Sequence, residues 1–148
     1  PRGGGQTGVV PAPARPAGGD GGYGRKDVEP VFRSALTAMN AKGILTADLP
    51  PGTDRLITET RHGVSKGDFT RAKYAADQLL ATVRSMQIDR SFIGAKIGRL
   101  SQTIRSASPP ADQRTKVEQL FQEATANYGD GRFEAANRKL NRISALLR

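Results

Sequence analysis

The chain has no cysteine and no tryptophan, a single histidine, and only 5% aromatic residues among its 148. Without cysteine there is no disulfide, no thiolate metal ligand and no thiol nucleophile. The lone histidine, His62, stands between Arg61 and Gly63, and by itself it completes neither a metal site nor a nucleophile–base pair. No run of about 18 apolar residues occurs, so no membrane-crossing helix is expected, and the N-terminus lacks the apolar centre of a secretion signal. The sequence starts with Pro1 and not Met, which suggests a chain cut from a longer precursor or a larger protein.

Nucleotide chemistry is missing for a different reason. The glycines at 3 to 8 and 18 to 24 lack both a preceding strand and the Gly-Lys-Ser/Thr ending of a phosphate cradle, and no Ser stands in a nucleophile elbow. The 14 acidic residues are scattered among Lys and Arg, not paired in a pattern suited to acid–base work. No enzyme activity, cofactor or metal is therefore expected.

What is present is helical patterning. With few aromatics, the core must be built from Leu, Ile, Val and Ala, a composition that favours helices over strands. Val28, Val31, Phe32, Ala35, Leu36 and Met39 recur with the 3.6-residue period of one apolar stripe. They predict a helix over about 28–42, with Asp27 as its N-cap, Pro30 in its first turn and Gly43 as a left-handed C-cap. After a loop around Pro50-Pro51, Thr53 or Asp54 is expected to cap a second helix that stops at Gly67. A third, expected to be the longest, starts at Asp68, and a fourth is capped by Asp89 and carries Gly94 and Gly98, each costing about 1 kcal/mol relative to Ala. Pro109-Pro110 separates the fourth from the fifth, and Tyr128-Gly129-Asp130-Gly131 turns the chain into the sixth.

The expected fold is thus all-α: a compact bundle of antiparallel hairpins with about six helices in one domain, 27–148, around one core. Leu56, Phe69, Leu79, Phe121, Phe133 and Leu140 are its expected buried members. Residues 1–26, rich in Gly and Pro with nothing large to bury, read as a disordered linker or tail.

A degenerate repeat organises the domain. Glu59-x7-Gly67-x-Phe69-x2-Ala72 returns as Glu123-x7-Gly131-x-Phe133-x2-Ala136, and the same offset pairs Leu56 with Leu120, Val64 with Tyr128 and Leu79 with Ile143. Two hairpins of one packing type, at about 53–87 and 111–148, follow from it. The order Ala124-x3-Tyr128-x2-Gly131-x-Phe133-x2-Ala136 resembles the core of the tetratricopeptide repeat, although the copies stand farther apart than that family's 34-residue period and Leu56 or Leu120 replaces its bulky aromatic. Gly67-Asp68-Phe69 and Ser91-Phe92-Ile93-Gly94-Ala95-Lys96-Ile97 are similar to the helical C-terminal domain shared by the steroid receptor RNA activator protein and a coat-scaffold subunit of secretory vesicles. Both resemblances imply a helical domain that binds other proteins.

Two sets of candidate residues follow. Analogy with tetratricopeptide hairpins implies that Glu59, His62, Glu123 and Asn127 line a groove between hairpins that seats a peptide or helix of a protein partner. The charge of +9 at neutral pH supports an alternative, a basic nucleic-acid-binding bundle. Arg84, Arg90, Lys96, Arg99 and Arg105 lie on or beside the fourth helix, and Arg138, Lys139 and Arg142 lie on the last. These form one patch only if the two helices pack side by side.

Overall fold

The computed structural model describes residues 22–148, and the expected leader lies outside the described residues except at its end. Six helices form, with no strand among the described residues: α1 (Arg25–Lys42), α2 (Arg55–Lys66), α3 (Phe69–Ser85), α4 (Arg90–Ala107), α5 (Ala111–Gly129) and α6 (Phe133–Leu146). A single 3₁₀ turn (Thr46–Asp48) follows α1.

Local chemistry explains most ends. Gly43 and Gly67 terminate α1 and α2 in the left-handed conformation, at φ 71° and 78°, where glycine carries no Cβ penalty. The Asp89 carboxylate accepts from the Phe92 N–H at 2.9 Å, capping α4. The start of α1 differs from expectation. Asp27 lies within the first turn, where its carboxylate accepts the Gly24 N–H at 2.7 Å, so extended Gly24 is the cap and Arg25 and Lys26 are already helical. Pro30 consequently sits inside the helix, one turn later than the sequence suggests. The longest helix is α5, with 19 residues against 17 in α3.

The domain expected at 27–148 divides into two compact units, one ending at Ser85 and one from Met86 to Arg148. In the first, α3 packs against both α1 and α2; in the second, α6 packs against α5 and, less extensively, α4. Each has its own apolar cluster: Val28, Ala72 and Ala76 with Val31, Phe32, Val64 and Phe69 around them, and Ile93, Val117, Ala136, Leu140 and Ile143 among others. Of the six core members expected above, Leu79 and Leu140 are fully buried, while Leu56, Phe69, Phe121 and Phe133 are half-buried.

The repeat extends beyond the hairpins. Helices α1 and α4 both have 18 residues, both start beside the first turn of the hairpin's second helix, and both end on a left-handed residue, Gly43 and Ser108. Lys42 Nζ donates to Val83 O and Arg84 O, at 2.9 and 3.0 Å, which brings the end of α1 to the end of α3. The Arg90 guanidinium lies 5.2 Å from the Phe133 ring and joins the starts of α4 and α6. Each unit is therefore one helix laid parallel to the second helix of a hairpin.

Candidate functional site

The four residues expected to line a groove belong to different units, Glu59 and His62 to the first and Glu123 and Asn127 to the second. His62 is exposed and Glu59 half-buried on α2. Glu123 is held inside its own hairpin: its carboxylate accepts from Lys139 Nζ at 2.8 Å and from Gln119 Nε2 at 3.3 Å. These bonds, Lys139 first, lower its pKa below the ordinary glutamate value, with the Arg142 charge a lesser cause. A lowered carboxylate pKa stabilises the fold above the ordinary glutamate range, and the contribution fades as pH falls through the lowered value. Asn127 is half-buried, and its Oδ1 atom is sealed from solvent with no hydrogen-bond partner. It holds the repeat position that Gly63 holds in the first unit.

The cations divide in the same way. Helices α4 and α6 do pack together, which meets the condition for a joint patch. However, the contact is built from one of the patch's expected members. Lys96 is only 2% exposed, and its ammonium donates to the side-chain oxygens of Asn137 at 2.7 Å and Asn141 at 2.5 Å. It also lies 5.5 Å from the Phe92 ring. A cation enters a helix interface only with such compensation, so Lys96 is a structural latch and is unavailable to a ligand. Lys139 is spent on Glu123. Arg90 stacks on Tyr128 and Phe133, at 5.3 and 5.2 Å, and Arg105 donates to Gln102 at 3.1 Å. Arg84 belongs to the first unit. Arg99, Arg138 and Arg142 remain exposed on α4 and α6.

The two glycines of α4 differ in their surroundings. A Cβ at Gly94 would meet the Tyr128 hydroxyl at 3.0 Å, whereas Gly98 has nothing within 4 Å.

One surface feature went unread in the sequence. Tyr74 is 65% exposed on α3, and Tyr23 is 45% exposed beside it in the same unit. Lys73 Nζ lies 5.4 Å from the Tyr23 ring and 2.8 Å from Asp77 Oδ2, while the Tyr74 hydroxyl accepts from Gln78 at 3.0 Å. The available signal was position: Tyr74 falls off the Ala72, Ala76, Leu79 and Val83 stripe, on the polar side of an amphipathic helix.

Among the described residues, no three of His, Cys, Asp and Glu gather where they could hold a metal ion, and no helix is long and apolar enough to cross a membrane. No protein-family profile, curated protein or solved structure matches the chain.

Proposed function

We infer that the chain is a non-enzymatic protein-interaction module of a larger assembly, built from tetratricopeptide-like hairpins, and that a peptide or helix of its partner lies along the exposed side of α3. The observation that carries this reading is Tyr74. An aromatic side chain 65% in solvent makes no contribution to its own core comparable to its size, and tyrosine is among the residues that most often anchor protein interfaces. Arg71, Gln78 and Ala81 share its exposed stripe, so the anchor sits among two polar side chains and one small one, the arrangement of an interface centre with a wettable rim. Rigidity supports the same reading. Lys42 holds the ends of α1 and α3 together, and a preorganised surface loses less entropy on binding.

The test is affinity capture from source-cell lysate on the full chain, with nuclease present, beside a Tyr74→Ser variant. A defined set of proteins retained by the native chain and lost by the variant, with both proteins melting at the same temperature, is the expected result. Retention that does not change in the variant, or that disappears when nuclease is added, overturns the reading.

A further inference from the structure

The start of α4, the end of α5 and the start of α6 meet in the second unit, and two aromatic rings line the meeting point. The Tyr128 and Phe133 ring centroids lie 6.1 Å apart with their planes inclined by 59°. The rings are therefore not stacked; they form the two walls of a cleft. The Arg90 guanidinium carbon lies 5.3 Å from the Tyr128 centroid and 5.2 Å from that of Phe133. One cation is thus shared between both walls, at the range where a ring quadrupole attracts it. Gly94, one turn after Arg90, leaves room for the first wall, since a Cβ there would meet the Tyr128 hydroxyl at 3.0 Å.

Arg90 gains little else from its position. It is the first residue of α4, where the positive end of the helix dipole opposes a cation. Among the described residues its guanidinium has no hydrogen bond and no ion pair, and the residue is exposed. The other charged residues within two positions of Arg90, Tyr128 and Phe133 are Asp89, Asp130, Glu134 and Arg132, of which Asp89 caps α4. With Arg90 turned aside, carboxylates outnumber cations around the cleft, a balance that favours a positively charged ligand.

What the walls offer decides the class of that ligand. They supply ring faces, with no acceptor bonded to the cation already there. A guanidinium or primary ammonium entering from solution would give up water that its N–H donors cannot replace on the rings. A quaternary ammonium has no N–H to strand, and aromatic cages are the arrangement that recognises it. We propose that Tyr128 and Phe133 form a binding cleft for a quaternary ammonium group, which Arg90 closes from within the chain until such a ligand displaces it. This does not rest on the protein-binding role of Tyr74, which lies on the other unit.

Titration of the full chain with choline, followed by NMR of the aromatic ring resonances, tests it. Shifts of Tyr128 and Phe133 are expected in the native chain, with little change from the neutral carbon isostere of choline. Arg90→Ala removes the internal competitor and is expected to bind choline about 5-fold more tightly with unchanged helical circular dichroism, whereas Arg90→Lys, which keeps a tethered cation, stays near the native affinity. A peptide carrying trimethyllysine, beside its unmethylated form, separates the sources of the group. Tighter binding of the methylated peptide than of choline assigns the cleft to a modified protein, and the reverse assigns it to a small molecule; both support the proposal. Ring resonances that choline leaves unmoved in the native chain and in Arg90→Ala overturn it. Equal shifts from choline and its neutral isostere overturn it as well, and an Arg90→Ala affinity no higher than native overturns the closure by Arg90.

Discussion

Lys96 shows how a side chain can change category between sequence and structure. As one of several cations on α4 it reads as surface charge, yet it is among the largest fully buried side chains of the chain. Its ammonium and the oxygens of Asn137 and Asn141 satisfy one another, so removing one partner leaves polar atoms stranded. Lys96→Met keeps most of the aliphatic stem and removes the donor. It is expected to destabilise the second unit by about 1–3 kcal/mol, whereas the triple variant K96M/N137L/N141L should recover part of the loss because the ammonium and the two amide oxygens that it bonds are then removed together. Chemical denaturation of the native chain, K96M, N137L/N141L and the triple variant checks this, and additive losses would show that the latch contributes nothing as a network. Arg90, by contrast, stays exposed, with its guanidinium over the Tyr128 and Phe133 rings.

Between α2 and α3, Gly63 allows a close approach. A Cβ there would stand 2.9 Å from both Ala72 Cβ and Asp68 O, so α2 and α3 are packed backbone against small side chain. Ala is the better helix former by about 1 kcal/mol, but the obstructing atoms include backbone of the neighbouring element and cannot rotate away. Gly63→Ala is therefore expected to be net destabilising by about 1–3 kcal/mol, the usual range for overpacking, read as a lower melting temperature. A gain in stability would show that α2 can slide on α3 at little cost. The equivalent residue in the second hairpin is Asn127, so the two hairpins share a pattern but not a contact.

Among the described residues, each of the two compact units holds an apolar cluster. Leu140 is completely buried within the second. Leu140→Ala is expected to cost about 2–5 kcal/mol and, if each cluster holds its own unit, to speed amide hydrogen exchange in α4, α5 and α6 while α1, α2 and α3 keep their protection. Loss of protection in all six helices together would show one cooperative unit.

Much of this was legible in the residues alone. The all-α class, the six helices and most of their ends depend on interactions within a few residues: a 3.6-residue apolar period, Gly43 and Gly67 where a left-handed turn is needed, and Asp89 one turn before the N–H it accepts. The hairpin repeat was readable because Gly131 and Phe133 repeat the letters of Gly67 and Phe69. The kinship of α1 with α4 was not, because Val28 and Ile93 or Ala35 and Leu100 share burial without sharing letters. Only tertiary structure could place Lys96 inside and leave Arg99, Arg138 and Arg142 outside. Its partners Asn137 and Asn141 lie two helices away in sequence, and which side of α4 meets α6 is set by how the helices rotate and pack, a choice that the period of either helix alone does not contain.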